Sequence, residues 1–184
     1  MKKSFIVLNS CMVILLILFS SGCDEDYQKQ QDMYKYQIDK RKENNQEHFY
    51  TFNKQIDDTL ERKTFYVPVY SHIYTSENSY IKMSITLSIR NTDFLEDLYV
   101  ENVSYYNTEG KLVKNYISKP HVLKHMGSID FIVDLEDMNG GNGAKFLVKL
   151  ASKSKSSIPI TQAIMIYSVG NNNFAFVTEG TVIK

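Results

Sequence analysis

The chain of 184 residues has no tryptophan, three prolines, eight glycines and two cysteines. So few prolines and glycines exclude a polyproline linker protein and a collagen-like repeat, and two cysteines cannot staple a small disulfide scaffold. An excess of charge of either sign is also missing, because 21 Lys and Arg balance 21 Asp and Glu. No net field steers the chain toward a polyanion, so a nucleic-acid partner is not expected. What the chain does have is 43% apolar residues, with 13 Tyr and 10 Phe. That is enough to fill one core of about 100 to 150 residues, and a single folded domain is expected.

The N-terminus reads as an address. Lys2 and Lys3 precede an apolar run from Phe5 to Phe19, broken only by Asn9 and Ser10, and Ser20, Ser21 and Gly22 lead into Cys23. Charged, apolar and small-residue regions in that order make an export signal over residues 1–22. Its run is shorter than the roughly 20 apolar residues needed to span a bilayer. The last six residues, Leu18 to Cys23, look like a bacterial lipoprotein signal, in which the Cys23 thiol is diacylated and becomes the new N-terminus. Such signals usually carry Leu three residues before the Cys, where Ser20 stands here. An ordinary signal peptidase would cut the same bond and leave a free thiol. An unpaired Cys at that position in an exported chain favours lipidation. Two acyl chains exceed the single-chain threshold for stable anchoring, so the membrane is an expected partner and the cell envelope, on its periplasmic or surface face, the expected location. Cleavage removes Lys2, Lys3 and Cys11 and leaves 19 basic against 21 acidic residues. The mature chain then has no internal disulfide, and its fold rests on burial alone.

Residues 23–45, opening with Asp24, Glu25 and Asp26 and rich in Gln, Lys, Asp and Asn, read as a solvated tether or a marginal helix. Across residues 46–63, Phe49, Phe52, Ile56 and Leu60 recur at spacings of three, four and four. That period predicts one face of an amphipathic helix, lying on the body as a lid or left as an exposed apolar stripe for a partner helix. Beyond Lys63 the period changes to two. Ile81, Met83, Ile85, Leu87 and Ile89 alternate with polar residues, as do Ile129, Phe131, Val133 and Leu135, and Phe146, Val148 and Leu150. Segments 98–107 and 111–118 flank Glu109-Gly110, and 160–169 and 173–178 flank Gly170-Asn171-Asn172, each pair reading as a hairpin. Strands wet on one face, with frequent turns between them, predict an all-β fold over residues 64–184. An immunoglobulin-like antiparallel β-sandwich of seven to nine strands is expected.

Several blocks carry a family likeness: Phe65 to Tyr74, Thr86 to Asp93, Tyr105 to Val113, Gly140 to Phe146 and Pro159 to Met165. In this order they resemble the DUF3124 family of small bacterial exported proteins. The resemblance covers about residues 65 to 183. It implies no activity and no site residues.

The chemistry-bearing residues are few. Ser71 and His72 are neighbours in the expected first strand, where alternation would point them to opposite faces. His121 and His125 are four apart, but Pro120 places them in a loop without a neighbouring Cys. His48 falls on the solvated side of the expected helix. Asp134, Glu136, Asp137 and Asn139, followed by Gly140, Gly141 and Gly143, could wrap a hard cation such as calcium, although they do not fit the EF-hand register. The alternative is a strand connection whose glycines take left-handed conformations. Otherwise no cofactor is expected. Tyr66, Tyr70 and Tyr74 share one face of the expected first strand, and Tyr105 and Tyr106 precede a hairpin. Tyrosine joins a flat apolar ring to a hydroxyl, and these five form a candidate platform for sugars or peptides. The sequence holds no nucleophile–base–orienter set. It points to a non-enzymatic, lipid-anchored module for an envelope protein or glycan. The competing expectation is an envelope hydrolase or metal-dependent enzyme that uses the 134–143 loop with His121 or His125.

Overall fold

In a computed structural model of the protein, structure is described for residues 28–29, 32–33, 47–153, 158–169 and 172–184. The export signal, Cys23 and nearly all of the tether lie outside the described residues. Residues Asn45 to Lys184 pack as one unit.

Alternation dictates the framework. Ile85, Leu87 and Ile89 on β5 (Ser84–Arg90) are fully buried, while Arg90 is exposed. The same holds for Phe65, Val67 and Val69 on β2 (Glu61–Val69), and for Ala144, Phe146, Val148 and Leu150 on β10 (Ala144–Ser152). Phe131 and Val133 are buried on β9 (Ser128–Val133), and Ala163 and Met165 on β11 (Ile160–Val169). Two further long strands are β6 (Leu98–Tyr106) and β12 (Asn172–Glu179). Six short ones complete the set: β1 (Phe49–Thr51), β3 (His72–Ser76), β4 (Ser79–Lys82), β7 (Leu112–Asn115), β8 (His121–Leu123) and β13 (Thr181–Val182).

The large sheet runs β1-β8-β6-β10-β2-β13, with β7 also paired to β6, and the small sheet runs β12-β11-β5-β9. A separate hairpin joins β3 to β4. Neighbouring strands pair antiparallel, as in β2 with β10 and β5 with β11. The inner faces of both sheets contribute to a single apolar cluster, from Phe65, Val100 and Phe146 on one side to Leu87, Phe131 and Met165 on the other. The expected all-β, sandwich-like fold is what forms. Each large side chain withdrawn from water contributes about 1.5 to 3 kcal/mol. The seven strands of six or more residues fall within the expected seven to nine. Thirteen strands exist among the described residues, because the six short ones span too few residues to show a period.

The helix expected over residues 46–63 is corrected by the structure. β1 pairs with β8, matching Phe49 to Leu123, and β2 already begins at Glu61. Between them the backbone bonds to other segments or turns on itself. Phe52 N donates to Pro120 O at 2.8 Å, and the Thr59 amide and hydroxyl both bond Asp57 Oδ1. The four spaced residues do face the body. Phe49 stacks on His121 at 4.6 Å, Phe52 meets Tyr99 edge-on at 5.1 Å, Ile56 is buried and Leu60 is half-buried. A 3.6-residue period over four contacts suits an irregular chain wrapping a sheet edge as well as it suits a helix. Strand pairing satisfied the backbone first.

One insertion sets the phase of β6. Leu98 and Val100 face the core, and so do Val103 and Tyr105, which lie on the opposite parity. The change falls where Lys149 pairs with Asn102 but Leu150 pairs with Val100, leaving Glu101 unmatched. This bulge turns Glu101 toward solvent, where it accepts from Arg62 Nε at 3.0 Å.

Loops collect at two ends. Glu61 of β2, Phe49 of β1 and the β5–β6, β8–β9 and β10–β11 connections share the entry end, as the pairings of Ser152 with Leu98 and Arg90 with Ser128 require. The β2–β3, β6–β7 and β9–β10 connections share the far end. Gly180 lets the chain cross from β12 in the small sheet to β13 in the large one. A Cβ there would strike the Thr161 hydroxyl, and Gly180 N donates to Thr161 O at 2.7 Å. β13 then pairs with β2, and Thr64 N bonds Lys184 O at 2.8 Å.

Deleting Glu101 should force either Leu98 and Val100 or Val103 and Tyr105 out of the core, because a shift of one residue exchanges faces. A fall in Tm larger than that caused by Glu101→Ala, followed by circular dichroism, is the expected result.

Candidate functional site

The far end carries a pair of exposed tyrosines. In the β3–β4 hairpin, Tyr74 lies opposite Tyr80 and His72 opposite Lys82, so all four share one face. Ile73 and Ile81 pair on the other face, and Ile73 packs on the core. Tyr74 and Tyr80 are 58% and 52% exposed. The His72 ring sits 5.2 Å from Tyr74 and 5.3 Å from Tyr80, so one imidazole contacts both tyrosines. Beside them Lys82 Nζ bonds Glu136 Oε2 at 2.6 Å, and that bond raises the lysine pKa. The hairpin is pinned at its base. Ser71 donates from both its amide and its hydroxyl to Gly141 O at 3.1 Å, and Met83 N donates to Ser71 O at 2.9 Å.

That base corrects the expectation that Ser71 and His72 are kept apart. β2 ends at Val69 and the chain bends at Ser71, so strand alternation does not apply, and Ser71 Oγ lies 3.2 Å from His72 Nδ1. Ser71 is nevertheless buried and committed to Gly141 O, and His72 bonds to Ser71 with no carboxylate bonded to it among the described residues. The same bend separates the tyrosines expected on one strand. Tyr66 is half-buried on β2, Tyr70 is half-buried 6.0 Å from Phe176, and Tyr74 belongs to the hairpin. Tyr105 is fully buried, and Tyr106 is half-buried at the end of β6. Of the five, Tyr74 alone joins the exposed face. Its partner Tyr80 went unrecognised, although His72-Ile73-Tyr74 is mirrored by Tyr80-Ile81-Lys82 around the polar turn at Glu77-Asn78.

The glycine-rich loop supports this end. Gly141 takes a φ of 77°, the left-handed conformation expected of glycine, and a Cβ on Gly140 would strike the Tyr105 hydroxyl. Thr108 clamps the loop, donating to Gly140 O at 3.2 Å and accepting from Gly143 N at 3.0 Å. Several of the loop's oxygens have protein partners. Asp137 Oδ1 accepts from the Asn139 amide and side chain, Asp134 O accepts from Asp137 N, and Glu136 holds Lys82. Among the described residues, no three His, Cys, Asp or Glu side chains cluster as metal ligands.

The remaining histidines bond elsewhere. His121 is buried, with Nδ1 2.8 Å from Lys119 O and Nε2 3.3 Å from Thr51 Oγ1. His125 is exposed, 3.7 Å from Asp97. His48 stands in a turn rather than on a helix, with Nε2 3.0 Å from Ser128 O.

The family model described as "Protein of unknown function (DUF3124)" matches residues 62–183, which include the hairpin and the glycine-rich loop. No curated protein matches the sequence. A solved structure, the crystal structure of Thermotoga maritima 1070, aligns over 65% of this chain and 92% of its own, at 12% identity and a TM-score of 0.40.

Burial pushes the Tyr105 phenol far above the ordinary tyrosine range, with Asp137 adding to it, and burial does the same to Tyr116, whose hydroxyl donates to Ile132 O at 2.9 Å. Both stay protonated in the folded state, whereas the unfolded chain ionises them near pH 10. Above that pH the unfolded state holds fewer protons, so stability is fully present below about pH 10 and falls as pH rises further. Urea midpoints should drop between pH 9 and pH 11, and less steeply in Tyr105→Phe. The Tyr105 hydroxyl is buried without a hydrogen-bond partner, so this substitution should be neutral or stabilising at pH 7.

Proposed function

We propose that the chain, which belongs to the DUF3124 family of proteins of unknown function, is a lipid-anchored envelope module that binds glycan on the aromatic face of the β3–β4 hairpin. One observation carries this. Tyr74 and Tyr80 stand opposite each other, more than half exposed, on a hairpin fixed at its base by Ser71 and Gly141. Flat rings held in place offer apolar area at little entropic cost, and their hydroxyls reach solvent for hydrogen bonds. The neighbouring Lys82 and Glu136 supply a donor and an acceptor for sugar hydroxyls. Anchoring rests on the signal and on Cys23, and it places the module outside the cytoplasm. A hydrolase reading has less behind it, since the buried Ser71 has His72 beside it but no carboxylate to orient that ring.

Two measurements test the proposal. Co-sedimentation with insoluble cell-wall polysaccharide should weaken about tenfold or more in Tyr74→Ala/Tyr80→Ala, from the loss of two stacking rings. The Tm should be unchanged, because both side chains are exposed, and unchanged binding would remove the platform. Intact-mass analysis of the membrane fraction should show a chain beginning at diacylated Cys23, and a soluble form with an unmodified thiol would remove the anchor.

A further inference from the structure

The entry end exposes apolar side chains that the fold does not need there. Phe94 and Leu95 in the β5–β6 loop are 75% and 85% exposed, Met126 in the β8–β9 turn 56%, and Ile158 before β11 69%. Three separate loops thus present large apolar groups at one end of the sandwich. The described tips are tied down. Asn91, itself buried, donates from Nδ2 to the carbonyls of Glu96, Leu123 and Lys124 at 2.8, 3.3 and 3.2 Å, and accepts from Asp93 N at 3.0 Å. Asp93 O accepts from Met126 N at 3.1 Å, and Thr92 Oγ1 donates to Ile158 O at 2.9 Å, which ties in the third loop. Met126 is held at a φ of 57°, a left-handed conformation that costs a side-chain-bearing residue free energy and persists only where its surroundings impose it. A rigid frame that displays apolar tips marks an interaction surface.

Leu95 also lines an open cavity of about 380 Å³ in which two lysines meet two carboxylates. Lys124 pairs with Asp97 at 2.9 Å and Lys153 with Glu96 at 2.9 Å, and Tyr99 and His125 complete the lining. Apolar tips above a belt of internally neutralised ion pairs fit the headgroup boundary of a bilayer, where rings and aliphatic chains bury and charged groups stay wet. The path of the chain identifies the occupant. Lys124 N donates to His48 O at 2.9 Å, and Phe49 lies opposite Leu123, so the chain arriving from Cys23 enters the body beside these tips. Only 25 steps of chain separate Cys23 from His48, which keeps the entry end within tether reach of the membrane that holds the anchor.

We infer that the entry end docks on the bilayer surface, with Phe94, Leu95, Met126 and Ile158 inserted at the headgroup boundary and the β3–β4 hairpin directed away from it. This rests on the anchoring of Cys23. The absence of tryptophan provides the test, since a single introduced indole reports its own surroundings. The acylated full-length mature protein, carrying Phe94→Trp or Tyr74→Trp, is reconstituted into phosphatidylethanolamine–phosphatidylglycerol vesicles with brominated acyl chains. Both sites are more than half exposed, so neither substitution should disturb folding. The Phe94→Trp emission should shift to shorter wavelength and be quenched several-fold more than that of Tyr74→Trp. If the protein co-floats with the vesicles and the two variants are quenched alike, docking is overturned and anchoring stands. If the protein fails to co-float, anchoring is overturned and docking falls with it.

Discussion

Interdigitation of two alternating faces, with no cysteine among the described residues to staple them, is the constraint under which this molecule is built. β10 lies between β6 and β2 in the large sheet and turns Phe146, Val148 and Leu150 onto the small sheet. Everything that positions a functional group, from the far-end hairpin to the Asn91-stapled loops, is referred to that slab. The Glu101 bulge shows how strictly the constraint acts. The chain accepts a break in its ladder so that Tyr105, as well as Leu98, can face inward. Tyr105 then contacts Phe146 at 5.0 Å and fills the space beside Gly140, although its hydroxyl finds no partner there. Packing at the far end is evidently worth more than satisfying one phenol.

The long strands were legible because a period of two over six or more residues has few competing explanations. Ile85, Leu87 and Ile89 announced β5, and Phe146, Val148 and Leu150 announced β10. The helix over residues 46–63 failed because the spacing of Phe49, Phe52, Ile56 and Leu60 records which residues face the body, not which backbone bonds form. The strand that captures Phe49 is His121 to Leu123, more than seventy residues away, and local spacing contains nothing of that pairing. The site was half legible. Tyr74 was singled out, but alternation was carried through the bend at Ser71, which grouped it with Tyr66 and Tyr70 rather than with Tyr80. Exposure of Phe94 and Leu95 had no sequence signal, since nothing in the sequence says which loop residues the body leaves uncovered.

The two ends divide the labour. At the far end, rings are held by backbone bonds to a glycine-rich loop, in which Asp137 bonds within its own turn and Glu136 holds Lys82. At the entry end, a buried amide gathers carbonyls from two loops, so the apolar tips keep their places without a core beneath them. One body thereby carries two surfaces of different chemistry, separated by the length of its strands.

The closing of β13 on β2 has a consequence for how the molecule is made. β2, paired with β10 on its other side, keeps part of one edge unpaired until Thr181 and Val182 cover Tyr66 and Phe65. More than a hundred residues separate these partners, and contacts of such long sequence separation make assembly slow. A chaperone of extended segments would have that interval in which to act.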